Sequence, residues 1–172
     1  MPRQPPIHEI QFLKRVPNHG ELNKKLNELQ LSAPSLLEYA HYVCECWFRL
    51  AENHLAEVER LKAVGCKRAT FSRAYYAAYN ASKAIRYLVY GSVSLQADDH
   101  KKAPQLPDDF PDTSLWSQRI TTLYENRLRA DYDNWSTTAN EYSMTEEEAV
   151  DTARNLLREA RIYLTKKFGI LQ

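Results

Sequence analysis

The chain has 172 residues, which is enough for one domain with a hydrophobic core and too few for two ordinary domains. Its 23 basic and 22 acidic residues nearly cancel, and the composition excludes disordered, collagen-like and disulfide-stapled classes. Because no stretch approaches about 18 continuous apolar residues and residues 1–15 lack an apolar signal core, we expect a soluble, cytoplasmic protein without a membrane segment.

Prolines and glycines divide the chain into an N-terminal arm and a bundle. Residues 1–31 are predicted to form an arm that is extended to about residue 19 and ends in a short helix. The apolar face of that helix is formed by Leu22, Leu26 and Leu29. Residues 32–172 are predicted to form one helical bundle domain.

Four long helices are predicted within this bundle. All eight prolines lie outside residues 35–103 and 112–172, so both ranges are free of helix breakers. Apolar residues recur at three- and four-residue intervals over about 35–63, 67–90, 114–130 and 146–167. With a long loop over 91–112 and no strand candidate, the expected fold is all-α, an up-and-down bundle of four to five helices.

Capping signals mark the ends of these helices. Ser35 with Glu38, and Thr145 with Glu148, have the spacing of a capping box, in which each residue satisfies a free backbone N–H. A left-handed glycine is favoured just after a helix, and three glycines occupy that position: Gly65, Gly91 and Gly169.

No metal or cofactor motif is present in the sequence. There is no phosphate-binding glycine loop and no pair of histidines at helical ligand spacing, so neither a metal nor a cofactor is predicted. The three cysteines lack metal-site spacing, and we expect all of them to be reduced packing residues: Cys44, Cys46 and Cys66.

Polar and aromatic side chains recur along one predicted face of the second long helix. This stripe consists of Arg73, Tyr76, Asn80, Lys83 and Tyr87. Because no Asp or Glu occurs from Leu61 to Ala97, the segment can present a positive face to phosphates and stacked bases. A polar subunit interface or a plain exposed surface explains the same pattern, and these interpretations stay open.

The end of the third long helix concentrates charge. Residues 127–133 are Arg-Leu-Arg-Ala-Asp-Tyr-Asp, so Arg127 and Asp131 have the four-residue spacing of a helical ion pair. One interpretation is a helix terminus stabilised by ion pairs. The other is a guanidinium held by a carboxylate beside the Tyr132 phenol and aimed into a cleft.

Two segments of the chain resemble the HEPN family, in particular its small stand-alone branch. Residues 72–84, Ser-Arg-Ala-Tyr-Tyr-Ala-Ala-Tyr-Asn-Ala-Ser-Lys-Ala, look like its S-R-A-Y-Y-A-A pattern, and residues 123–133 contain its later R-x-x-A-D-Y motif. Residues 98–102, Asp-Asp-His-Lys-Lys, resemble the His-Lys pair that often follows its second helix. The resemblance covers roughly residues 35–165 and implies a HEPN-like bundle, commonly a homodimer with one cleft shared by two protomers.

The resemblance also implies an activity on RNA. Active HEPN members are metal-independent endoribonucleases, often toxins, antiphage effectors or partners of a minimal nucleotidyltransferase. Their signature is an arginine followed, after four to six residues, by a histidine. Here the positions after Arg127 hold Tyr132, Asp133 and Asn134, and a phenol is a poor base at neutral pH.

Two readings of the function therefore stand. The first is a protein that binds or processes RNA in a toxin–antitoxin, defence or stress setting, with its status as an enzyme left open. Its candidate catalytic residues are Arg127, Asp131 and Tyr132, and its candidate phosphate-binding residues are Arg73, Tyr76, Asn80, Lys83, Arg129 and His100. The second, which the missing histidine favours, is a non-catalytic dimerisation or interaction module whose partner is a nucleotidyltransferase or another protein.

Two other histidines, His54 and His100, are candidates for the missing one. Arg49 precedes His54 by the signature spacing, but residues five apart on one helix diverge by about 140°, which argues against a catalytic pair. His100 follows the second long helix, and a long loop can bring it back toward the third helix. A solvent-exposed loop histidine is the competing interpretation of His100.

Overall fold

The computed structural model describes residues 9–28, 36–133 and 142–171 of the chain. Over these ranges the regular structure is helical, apart from an isolated bridge between Asn18 and Ser92. The helices are α1 (Glu9–Leu13), α2 (His19–Glu28), α3 (Leu36–Ala63), α4 (Lys67–Tyr90), α5 (Asp99–Lys102), α6 (Thr113–Tyr132) and α7 (Glu146–Phe168). The all-α bundle is thereby confirmed, and the four long helices lie close to their predicted bounds.

The α4 helix lies at the centre of the bundle, in contact with α3, α6 and α7. Five of its six alanines are fully buried, and small side chains allow neighbouring helices to approach closely: Ala74, Ala77, Ala78, Ala81 and Ala84. Burial continues on every side of α4 from Asn80 to Leu88. Polar side chains on this half of α4 must therefore find partners inside the protein.

The predicted caps of the last helix are present. The Thr145 Oγ1 accepts a hydrogen bond from the Glu148 backbone N–H at 3.2 Å, and the Glu148 carboxylate accepts one from the Thr145 N–H at 2.7 Å. The three predicted glycine caps all have left-handed backbones: Gly65, Gly91 and Gly169. Ser35, the other predicted capping residue, lies outside the described residues.

The N-terminal arm is more ordered than its predicted extended form. Residues 9–13 form α1, and apolar residues of α1, α2 and their connection join the core of the bundle: Phe12, Leu13, Val16, Leu22 and Leu26. The His19 N–H donates to the Gly91 carbonyl at 3.0 Å, and the Val93 N–H donates to the Pro17 carbonyl at 2.9 Å. The arm therefore fixes the point where the chain leaves α4. Leu29 lies outside the described residues.

Two smaller expectations change. The predicted loop 91–112 contains the single turn α5, and Cys66 is exposed at the connection between α3 and α4 rather than packed. Cys44 and Cys46 are buried as predicted. None of the described helices is long and apolar enough to cross a membrane.

Candidate functional site

The polar stripe of α4 does not form one exposed face. Asn80, Lys83 and Tyr87 are buried, because α4 is covered by other elements along this half of its length. The Asn80 side chain donates to the Tyr76 carbonyl within its own helix at 2.8 Å. Arg73 is the more exposed member and pairs with the Glu57 carboxylate at 3.1 Å. The expected positive surface is therefore wrong for Asn80 and Lys83.

A buried charge cluster takes the place of that surface. It consists of Lys83, Arg86 and Asp99, whose side chains are at most 4% exposed. The Arg86 guanidinium donates to both Asp99 oxygens, at 3.0 and 3.1 Å, and the Lys83 ammonium lies 3.2 Å from the same carboxylate. The Tyr79 hydroxyl donates to Asp99 at 2.8 Å, and the Ser94 N–H donates at 3.1 Å.

The charge cluster contains two cations and one anion, and both cations pair with the Asp99 carboxylate. Burial alone would raise the pKa of Asp99, but the hydrogen bonds and positive charges of Arg86 and Lys83 hold it well below its ordinary value. Burial lowers the pKa of Lys83, and the Asp99 charge opposes that shift. Lys83 also lies over the Trp47 ring, 4.6 Å from its centroid. Lys83 is therefore placed as a structural cation.

A tyrosine cluster surrounds His100. It consists of Tyr75, Tyr76 and Tyr79 on α4 and Tyr124 on α6. The His100 Nδ1 lies 2.8 Å from the Tyr75 hydroxyl, its ring is 4.6 Å from the Tyr79 ring, and it stacks on Tyr124 at 6.1 Å. The loop thus brings His100 back to the third long helix and leaves it half-buried.

The electrostatic surroundings of His100 favour a neutral imidazole. Burial lowers its pKa, and the positive charge of Arg127 lowers it further. Asp99, the preceding residue, acts in the opposite direction. A neutral histidine carries one free ring nitrogen, which is the state that accepts a proton in catalysis.

Arg127 lies at the edge of the tyrosine cluster. Its Nη2 donates to the Tyr76 hydroxyl at 2.8 Å and lies 3.4 Å from the Tyr132 hydroxyl. Its Nε lies 2.7 Å from the Asp131 carboxylate, which confirms the predicted four-residue ion pair. Arg127 is 8% exposed, whereas Tyr132 is 66% exposed and covers it from the solvent side.

His54 is a site neighbour that spacing arguments discounted. Its ring is 5.6 Å from the Tyr76 ring, on the side of Tyr76 that faces α3. Burial, followed by the charge of Arg73, lowers its pKa. Arg49 contacts Cys46 and the Tyr42 ring, so the motif-like spacing of Arg49 and His54 does not correspond to a shared site.

The candidate residues therefore separate into three groups. The structure brings together Arg127, Asp131, Tyr132, Tyr76 and His100. It places Asn80 and Lys83 in the interior, Arg73 at a half-exposed position of α4 and Arg129 at an exposed position of α6. Three tyrosines of this region are not predicted as site residues by the sequence, Tyr75, Tyr79 and Tyr124, and the helical spacing argues against His54. The recurrence of tyrosines on α4 is the sequence signal that could have identified Tyr75 and Tyr79.

No protein-family model matches this chain, and comparisons with curated proteins and with solved structures return no match. The resemblance to the HEPN family remains a prediction that rests on residues 72–84, 98–102 and 123–133.

Proposed function

We propose that this protein binds RNA at the edge of the tyrosine cluster, where Arg127 contacts a phosphodiester and His100 serves as the base for its cleavage. The observation that carries the proposal is the approach of an arginine and a histidine to Tyr76: Arg127 donates to the Tyr76 hydroxyl, and the His100 ring lies 6.0 Å from the Tyr76 ring. The HEPN-like motifs gave the same arginine, and His100 supplies the histidine that does not follow it in sequence.

Arg127 is suited to exchange its present partner for a phosphate. The side chain of its ion-pair partner Asp131 is 26% exposed, so solvent and ligand oxygens can compete for the guanidinium. The Arg127 Nη1 makes no hydrogen bond to any of the described residues. Guanidinium–phosphate contacts are short, charge-assisted and often bidentate, which favours an arginine at this position.

His100 is suited to remove a proton from the ribose. When Nδ1 carries the proton and donates it to the Tyr75 oxygen, Nε2 is free to accept the 2′-hydroxyl proton. The 2′-oxygen then attacks the adjacent phosphorus, the bond from phosphorus to the 5′-oxygen breaks, and the 5′-oxygen takes a proton from water. The hydroxide that remains takes the proton from His100, which restores the neutral imidazole. Arg127 stabilises the extra negative charge of the transition state.

RNA binding is tested by fluorescence anisotropy with mixed-sequence single-stranded RNA in EDTA. We expect Arg127→Ala to weaken binding at least about tenfold, since a hydrogen bond to a charged group is worth about 1.5–3 kcal/mol. Arg119→Ala is the matched control, because Arg119 lies on the same helix against Trp116 and away from the tyrosine cluster. Equal affinity of both variants and the wild type would contradict the proposal.

Cleavage is tested separately on the same RNA by separating the products on a denaturing gel. We expect His100→Gln to retain RNA binding and to lose the products with 2′,3′-cyclic phosphate ends. Cleavage that persists in His100→Gln would remove His100 from the chemistry while leaving the binding result unaffected.

A second candidate function is a non-catalytic dimerisation or interaction module. It is favoured by the low exposure of Arg127, which already contacts Tyr76, Asp131 and Tyr132 within the chain. On this reading Arg127 stabilises the end of α6 or a homodimer seam, and the partner is a nucleotidyltransferase or another protein. It predicts that Arg127→Ala lowers the melting temperature or dissociates a dimer, measured by calorimetry and light scattering, with no RNA binding by the wild type.

A further inference from the structure

The segment between α4 and the end of α5, residues 91–102, is attached to the bundle by few buried side chains. Of its residues, Val93 and Asp99 are buried, whereas most of the others are exposed or half-exposed. The α5 helix is a single turn, which is too short to be stable alone. The charge cluster therefore supplies much of the attachment of this segment.

Asp99 is the residue through which that attachment acts. Its carboxylate accepts two hydrogen bonds from Arg86, one from Tyr79 and one from the Ser94 backbone, and its side chain is fully buried. Ionised acceptors with several donors make strong hydrogen bonds in a site that excludes water. The neighbouring Asp98 is exposed, and its side chain contacts Ser94 and Lys102, which both belong to the same segment.

Asp99 and His100 contact one continuous row of α4. Asp99 contacts Arg86 and the Tyr79 hydroxyl, while His100 contacts the Tyr79 ring and, one turn earlier, the Tyr75 hydroxyl. The Tyr79 hydroxyl thus contacts Asp99, and the Tyr79 ring contacts His100. Because Asp99 and His100 are adjacent in the chain, a shift of Asp99 away from Arg86 must move the His100 backbone as well.

We propose that Asp99 is a positioning residue of the candidate site, whose pairing with Arg86 holds residues 91–102 on α4 and thereby places His100 against Tyr75. The inference rests on the proposed function for the role of His100. The position of His100 is measurable without RNA, so the two proposals fail separately.

The test is the titration of the His100 imidazole by NMR, in the wild type, in Asp99→Asn and in the matched control Asp98→Asn. The chain has five histidines, so the His100 signal is assigned by its absence from His100→Gln. The titratable and charged groups that surround His100 are Tyr75, Tyr76, Tyr79, Tyr124, Asp99, Lys83 and Arg127.

The titration separates position from charge by its sign. If Asp99 only contributes its charge, Asp99→Asn removes a negative neighbour and the pKa of His100 falls further. If Asp99 positions the segment, His100 leaves the tyrosine cluster and its pKa rises toward the ordinary value of about 6.5. We expect the rise in Asp99→Asn and no change in Asp98→Asn. A fall, or no change, in Asp99→Asn would overturn the proposal.

Arg86→Gln provides a second variant for the case in which Asp99→Asn does not fold. It removes the bidentate partner of Asp99 and retains the rings that pack on His100. We expect the pKa of His100 to rise here too. An unchanged or lowered pKa in folded Arg86→Gln would overturn the proposal.

If the wild type cleaves RNA, Asp99→Asn should lower kcat to the level of His100→Gln, and the double variant should be no slower than either. Full activity of Asp99→Asn would overturn the positioning role. This coupling is a readout that a merely structural role would not produce, since a general loss of stability would add to the loss of His100.

Discussion

Arg86 and Arg127 are both buried arginines that pair with an aspartate, yet their guanidinium groups are satisfied differently. Arg86 makes a bidentate pair with the fully buried Asp99 and a further hydrogen bond to the Ser82 hydroxyl at 3.2 Å. Arg127 faces Asp131, whose side chain is 26% exposed, and otherwise contacts the hydroxyl groups of two tyrosines.

Because of this difference, we assign the two arginines different roles. Each of the three Arg86 nitrogens donates to a buried acceptor, and the side chain is only 4% exposed, so Arg86 contributes to stability and to the placement of residues 91–102. A guanidinium that pairs with a partly exposed carboxylate can exchange that partner for a phosphate with little loss of free energy. Arg127 is therefore the arginine to examine for binding, although both are almost equally buried.

The largest expected effect distinguishes the two aspartates. Asp99→Ala leaves Lys83 and Arg86 buried without their anion, and breaking such a pair costs about 3–5 kcal/mol of the free energy of unfolding. Asp131→Ala removes an exposed partner and should cost less than about 1 kcal/mol. Urea denaturation measures both. Equal losses would show that the two arginines are held in the same way.

Removing a tyrosine hydroxyl near each arginine should also destabilise the protein to different extents, with a smaller difference than between the two aspartates. Tyr79→Phe removes a donor to the buried Asp99 and an acceptor from Lys83, which should cost about 2 kcal/mol. Tyr76→Phe removes the acceptor of Arg127 at the cluster edge and should cost about 1 kcal/mol. Both rings are retained, so packing is the same in each comparison. The reverse order in urea denaturation would contradict this assignment.

The pH dependence of stability should separate the two regions as well. Burial lowers the folded-state pKa of His54 and His100, so the unfolded chain binds protons first as the pH falls. Their contribution to stability is complete above about pH 6.5 and is lost between that value and the folded pKa. We expect His54→Gln and His100→Gln each to reduce the slope of the unfolding free energy below about pH 6.5.

The Asp99 contribution is lost in a more acidic range. Its folded-state pKa is lowered, so its stabilisation is present above its ordinary value of 3.8 and disappears as the pH falls through the folded value. Removing Asp99 should therefore flatten the stability curve only below about pH 4. Flattening near neutral pH in an Asp99 variant would contradict the assignment.

The sequence predicts the helices well because their signals are local. Apolar periodicity and glycine caps are properties of neighbouring residues, and the bounds of α4 over residues 67–90 follow from them. The burial of Lys83 does not depend on its neighbours in the chain. Its stripe has the spacing of an amphipathic face, but α4 is covered by three other long helices, so the stripe is largely interior.

The candidate site likewise combines contacts that are local in the sequence, and predictable, with contacts that are not. The pairing of Arg127 with Asp131 was predictable from a four-residue spacing within one helix. The approach of His100 to α4 was not, because it depends on Asp99 meeting Arg86 from a different element. One signal was available: a long helix with cations and no acids needs carboxylates from elsewhere, and residues 98–99 are the nearest ones after it.

The smallest expected effect concerns a solvent-exposed ion pair between α3 and α7. Lys62 on α3 contacts Glu147 on α7, and both side chains are substantially exposed. Lys62→Met should change the free energy of unfolding by about 0.5 kcal/mol or less, because exposed pairs gain little over their solvated ions and are screened by salt. Lys62 and Glu147 are 85 residues apart in the chain, whereas Arg86 and Asp99 are 13 apart, so connectivity alone would make the exposed pair the stronger one. If urea denaturation gave Lys62→Met a loss as large as Asp99→Ala, connectivity rather than burial would set the strength of these pairs, and the distinction between Arg86 and Arg127 would lose its physical basis.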